Sequence, residues 1–218
     1  MPTQPDVPAQ SPASAASNAL GLSDAPDAPD PAVLDPDLLA DGDRRNVTDQ
    51  YRFWTIEAIK ADMEARRDPD SLLHIAIENW EHDFNIGSVV RTANAFNAAG
   101  VHIIGKKRWN RRGAMVTDRY LNIYHHLTPA HFANWVRTHG PAGMTIVGMD
   151  NFPGSLPLET YTFTPHTALV FGQESTGLTQ EMQDQCRDIV HITQHGSTRS
   201  LNAGAAAAIA MYAWSTKG

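Results

Sequence analysis

The chain has 218 residues, 42% of them hydrophobic and 19% charged, which is enough for one sizeable core and too little for two ordinary domains once a tail is set aside. Seventeen Lys and Arg against 24 Asp and Glu leave a formal charge of −7, an average that argues against a nucleic-acid partner. The average conceals a division: residues 1–43 hold eight Asp and no basic residue, so Arg44 to Gly218 carries 17 basic against 16 acidic side chains.

Cys186 is the only cysteine, which excludes intrachain disulfides and multi-cysteine zinc sites and fits a reducing cytoplasm. No apolar run approaches the roughly 18–20 residues of a membrane span; the longest candidate, Ala203 to Trp214, has Gly204 inside it. The start of the chain lacks a basic segment followed by an apolar one, so an unexported cytoplasmic protein without a membrane partner is expected.

Residues 1–43 contain eight of the 14 prolines and no aromatic residue, a composition that cannot bury enough apolar surface to offset the entropy of ordering. A disordered acidic tail is expected there, and the folded domain over 44–218. Trp54, Ala58, Ala61 and Met63 fall near one face of an amphipathic helix over Tyr51 to Arg67. Leu72 to Ile77 reads as a buried strand. Then come a helix from Ile86 to Ala99 ended by Gly100, a strand Val101 to Ile104, a helix Pro129 to Thr138 and a strand Met144 to Met149. Strands at Thr167 to Phe171 and Ile189 to Ile192 enclose a helix Thr179 to Cys186, and a last helix follows Asn202. Strands separated by helices predict an α/β fold with a mainly parallel sheet covered on both faces.

Ligands of such sheets bind beyond the carboxyl ends of the strands, and three of those ends carry unusual loops. The first holds Asn85, a good helix N-cap, then Gly87, which permits close approach of a chain or ligand, then Arg91, which can point back toward an anion near the helix start. The second runs from Gly172 through Glu174 and Gly177 to Leu178; its glycines predict tight backbone geometry and its carboxylate can orient a hydroxyl or amine. It matches neither a P-loop nor a dinucleotide fingerprint. The third, Ile192 to Asn202, leads through Ser200 and Leu201 into the small-residue run Ala203-Gly204-Ala205-Ala206-Ala207-Ala208.

Taken in order, the three motifs resemble those of the SPOUT class of RNA methyltransferases, and within it the SpoU/TrmH-like ribose 2'-O-methyltransferases, over roughly Leu72 to Trp214. The resemblance implies a C-terminal trefoil knot, S-adenosylmethionine as cofactor, tRNA or rRNA as substrate, and a homodimer whose site lies near the subunit interface. It places the cofactor against Met149, Gly172, Ile192, Ser200 and Leu201. It gives Arg91 the activation of the ribose hydroxyl, with Glu174 and Asn202 orienting Arg91 or the ribose and Asn85 and Ser200 in support. A guanidinium has a pKa above about 12 and is a poor base, so two roles stay open for Arg91: a perturbed general base, or a stabiliser of alkoxide or phosphate.

An independent clue concerns the substrate. Lys106, Lys107, Arg108, Arg111, Arg112 and Arg119 face only Asp118 within one stretch, with Trp109 among them; such a loop can bind RNA phosphates and stack a base. His82, His125 and His126 lack a convincing third ligand, so no metal is expected. His195 can touch substrate or serve as a polar loop residue. Only a tail and one helix precede the first strand, so the chain reads as close to a minimal catalytic unit, with tRNA slightly favoured. The rival reading is a non-catalytic RNA-binding factor that retains the fold; a small-molecule methyltransferase is disfavoured by the cationic loop.

Overall fold

A computed structural model of the chain describes residues 30–79, 85–173 and 176–217. The chain divides into two compact units, Met1–Asp62 and Met63–Gly218.

In the first unit Asp35 starts helix α1 (Pro36–Asp41) by accepting hydrogen bonds from the backbone of Asp37 and Leu38, with Pro36 pre-set for the first turn. Leu34 forms an antiparallel bridge to Trp54. The Asp43 carboxylate takes both the Arg45 guanidinium and the Phe53 amide, and the guanidinium holds its pKa far below the ordinary carboxylate value. Within the stretch expected to be a disordered tail, residues 30–43 hold this capped helix, and Leu34 and Leu39 are buried. Residues 1–29 lie outside the described part. The expected helix from Tyr51 is also shortened, because Phe53 takes a positive φ of 64°; the helix, α2, runs Ile56–Ala65.

The second unit is built on a seven-stranded sheet. Its strands are β1 (Leu73–Asn79), β2 (Gly100–Gly105), β3 (Ile123–His126), β4 (Thr145–Met149), β5 (Leu156–Pro157), β6 (Thr167–Phe171) and β7 (Asp188–His191). They lie in the order β3-β2-β1-β6-β4-β7-β5, and every pairing is parallel. The expected α/β class with a mainly parallel sheet is what is found. Strands β3 and β5 were not legible in the sequence.

Alternation along the strands sorts the core into two layers. Ile75, Ile77, Val101, Ile103, Leu169 and Phe171 face one way, onto Val89, Val90 and Ala93 of α3 (Ile86–Ala95) and Ala207, Ala210 and Met211 of α6 (Ala203–Lys217). Ala76, Ile104, Ala168 and Val170 face the other, onto Phe132, Ala133 and Val136 of α4 (Pro129–His139) and Met182 of the single-turn α5 (Gln180–Gln183). Helix α3 stops at Ala95, short of the expected Ala99, because Asn97 turns to φ 49° and its carboxamide donates to the Met63 carbonyl.

The second layer contains a chain of buried imidazoles. His74 Nδ1 lies 3.0 Å from His102 Nε2, and His102 Nδ1 lies 2.9 Å from His126 Nε2. The three rings come from β1, β2 and β3, and Trp135 and Phe132 of α4 cover them. Burial, before any charge, lowers the pKa of all three: His74 and His126 to about 4, and His102 well below its ordinary value.

Candidate active site

The carboxyl ends of β4, β6 and β7 open into a cleft with an empty volume of about 740 Å³, open solvent included. All five residues expected to hold a cofactor line it: Met149 at the end of β4, Gly172 just after β6, Ile192 just after β7, and Ser200 and Leu201 before α6. Its floor depends on glycine. A Cβ on Gly172 would overlap the backbone of Gly177 and Leu178, and Gly177 takes φ 68° with the Asp150 carboxylate against its Cα. The amides and carbonyls of Gln173 and Gly177 pair with each other at 2.8 and 3.1 Å, closing the turn. Glu174, expected in the machinery, lies outside the described residues.

Asp150 follows β4 directly and lines the same cleft. Its Oδ2 accepts the Leu178 amide at 2.8 Å, which ties the end of β4 to the end of the glycine turn. Gln173, His191 and Gln194 also line the cleft. Sequence reading passed over these four; for Asp150 a signal existed, a carboxylate at a predicted strand's carboxyl end.

Asn202 joins two motifs 117 residues apart. Its Oδ1 caps α6 by accepting from the backbone of Gly204 and Ala205, at 3.0 and 3.3 Å, while its Nδ2 donates to Asn85 Oδ1 at 2.9 Å. Its neighbours Leu201 and Ala203 both line the cleft, so the Asn85–Asn202 pair sits at the cleft's rim. Asn85 departs from the expected role: it is in the helical conformation and makes no side-chain cap to α3, its oxygen being turned to Asn202 instead. Gly204 allows α6 to meet α3, since a Cβ there would lie 3.3 Å from the Ser88 Cβ.

Asn85, Ser88 and Arg91 recur at helical spacing and share a face of α3. Arg91 is exposed on that face and is not among the cleft-lining residues. Ser200 supports the site as a lining residue only.

Gly87 serves a different contact from the one expected. A Cβ on it would stand 2.8 Å from the Gly113 Cα and the Ala114 amide, so its close approach is to the cationic loop of the same chain. Asn79, at the end of β1, holds that loop from below by donating to the carbonyls of Lys106 and Arg108 at 2.6 and 3.0 Å. Lys106, Lys107, Arg108, Arg111, Arg112 and Arg119 are all exposed. Trp109, the aromatic of that loop, is half-buried. It packs against the core with the Arg111 guanidinium 5.4 Å from its ring centre, and Arg111 also pairs with Asp118 at 3.2 Å.

Among the described residues no group of three or more His, Cys, Asp or Glu side chains can hold a metal, and no helix is long and apolar enough to cross a membrane. Burial pushes the Cys186 thiol up to about 12, so it sits as an apolar neutral group.

With two of the motifs lining one cleft and the first bonded to the third, the comparison with known proteins is decisive: the SpoU rRNA Methylase family profile matches residues 72–212. The chain belongs to the SpoU rRNA methylase family. This SpoU chain is 32% identical over 150 residues to an uncharacterized tRNA/rRNA methyltransferase of Mycolicibacterium smegmatis, covering 67% of its own length and 47% of the relative. It is 27% identical over 190 residues to the 23S rRNA (uridine(2479)-2'-O)-methyltransferase of Streptomyces viridochromogenes, covering 83% of itself and 65% of that protein. The SpoU chain thus spans about half to two thirds of the relatives it matches. The crystal structure of the SpoU methyltransferase AviRb from Streptomyces viridochromogenes, in complex with AdoMet, superposes with a TM-score of 0.61 at 27% identity, over 68% of this chain and 58% of that one.

Proposed function

We propose that the protein transfers a methyl group from S-adenosylmethionine to a ribose 2'-hydroxyl of tRNA or rRNA. The observation that carries this is that the second and third motif loops line one cleft while the first is tied to the third by the Asn85–Asn202 hydrogen bond.

The cleft suits the cofactor. Met149, Phe171, Ile192 and Leu201 give apolar walls, and the turns at Gly172 and Gly177 present backbone N–H and C=O groups for an adenine edge. Gln194 on the same wall has a buried Oε1 with no hydrogen-bond partner among the described residues, an acceptor suited to an amine or amide donor. When bound, the cofactor supplies an electrophilic methyl group. Met149, Gly172, Ile192, Ser200 and Leu201 hold it, and no metal is needed.

The chain's own residues do the rest. Asn202 and Asn85 fix the start of α6 against α3, and with it the position of Arg91 relative to the cleft. Arg91, exposed on α3, stabilises the oxygen that becomes an alkoxide or grips the adjacent phosphate. Glu174 completes the orientation of the ribose or of Arg91. The six cations of the β2–β3 loop hold RNA phosphates.

The trefoil knot belongs to the same reading; its support is that the segment between β7 and α6 lines the same cleft as the loops after β4 and β6. So does the homodimer. Ile209 and Tyr212, 42% and 62% exposed, lie on the outer face of α6 beside Ala205, a stripe suited to a second copy.

Arg91→Ala tests the proposal. Methyl transfer to RNA should fall by at least about 10²-fold, the range for losing a group aimed at developing charge, while cofactor affinity stays within about tenfold. Full turnover in this variant, measured with labelled cofactor on tRNA and rRNA, would remove Arg91 from the mechanism; binding without turnover in the unmodified protein would favour the RNA-binding factor.

A further inference from the structure

The loop between β2 and β3 turns on two residues that are not glycine and yet take left-handed backbone: Met115 at φ 49° and ψ 43°, Val116 at φ 70° and ψ −4°. A positive φ is most unfavourable for a β-branched side chain, whose branches crowd the backbone. The turn is fixed on both sides. Ala114 is fully buried, Gly113 rests on Gly87, and the buried Thr117 hydroxyl donates to the Ala114 carbonyl at 2.6 Å. Between these anchors Met115 and Val116 are 52% and 46% exposed. An apolar pair held outward in a strained turn adds nothing to the core, and such strain concentrates where a surface meets a ligand.

The surroundings define the partner. Arg111 and Arg112 precede the tip and Arg119 follows it; Lys106, Lys107 and Arg108 lie earlier in the same loop, and all six are exposed. The one acid, Asp118, is already paired with Arg111. A polyanion with flat apolar faces matches both features at once: phosphates for the cations, and an unstacked base for the tip. Because Gly113 stands on Gly87, about one helical turn before Arg91, the tip is carried by the helix that presents Arg91.

We propose that Met115 and Val116 form an apolar wedge that takes the face of an unstacked RNA base near the target ribose, while the flanking cations hold the phosphates. The inference rests on reading the protein as acting on RNA. Trp109 is half-buried against the core, whereas the wedge is the exposed apolar part of the loop.

The test uses Val116→Gly, which relaxes the backbone and so removes the side chain without straining the fold, and the double variant Met115→Ala/Val116→Gly. The probes are bulk tRNA and a hairpin RNA with 2-aminopurine in its loop. The double variant should bind the hairpin about tenfold more weakly, the scale of one lost base contact, with an unchanged slope of affinity against salt. The fluorescence rise that accompanies unstacking by the unmodified protein should disappear. Arg111→Glu/Arg112→Glu should instead flatten the salt slope. Wild-type affinity and fluorescence in the double variant would overturn the wedge, as would dissociation of a dimer in light scattering, which would assign the tip to a protein interface. If the unmodified protein binds the hairpin but methylates no RNA, the catalytic reading fails and the wedge stands on binding and fluorescence; if it binds neither RNA, both fall.

Discussion

The two halves of the sheet use polar residues in opposite ways. Across β1, β2 and β3, three imidazoles are buried side by side, bond one another and are sealed by Trp135 and Phe132. At the ends of β4, β6 and β7, polar groups stand around an open cleft, and the space is kept by what is missing: side chains at Gly172 and Gly177. Histidines in a row look like chemistry and are packing; glycines look like punctuation and define the site. The difference teaches that a functional group is recognised by what it leaves open toward a ligand rather than by its reactivity.

The largest effect that would break this contrast is at Gly172. Gly172→Ala drives a Cβ into the Gly177 carbonyl and the Leu178 amide; an overpacking cost of about 2–3 kcal/mol is expected. Cofactor affinity, read by calorimetry, should fall at least about a hundredfold. A variant that binds cofactor normally would show that the turn does not shape the cleft.

Next is Asn202. Replacing it with Ala removes the α6 cap, worth about 1 kcal/mol, and frees Asn85. Turnover should fall roughly tenfold or more with little change in cofactor affinity. Asn202→Asp keeps an oxygen for the cap but has no N–H for Asn85, so it should restore the unfolding midpoint and not the turnover. Recovery of both would reduce the pair to helix capping.

The smallest effect sharpens the other half. The folded pKa of His74 and of His126 is about 4, below the ordinary 6.5, chiefly through burial. The unfolded chain therefore binds more protons between these values, so the stability is fully present above about pH 6.5 and is lost as pH falls toward 4. Tm should drop by several degrees across that window. A flat profile would place the rings in water.

Strong apolar runs with clear punctuation were legible: β6 runs from Thr167 to Phe171 as expected, and β1, β2, β4 and β7 differ only at their ends. Ile123-Tyr124-His125-His126 hid β3 because two of its four residues are polar by type, and only the pairing of His126 with His102 makes burial affordable there. Two-residue β5 has too few positions for any period. At the site, the family resemblance pointed to five residues, Met149, Gly172, Ile192, Ser200 and Leu201, that line the cleft. Asp150 was not legible, since its role lies in a bond to Leu178, 28 residues away. The Gly87–Gly113 contact was equally hidden, because a glycine declares room for a neighbour and never which one.

The sheet ends on β3, four residues long, and on β5, two residues long and containing Pro157. Proline has no amide hydrogen to offer an incoming strand. A foreign chain seeking to extend the ladder past β5 finds too short a template, so the outermost rung protects a protein with fully buried central strands against self-assembly into fibrils.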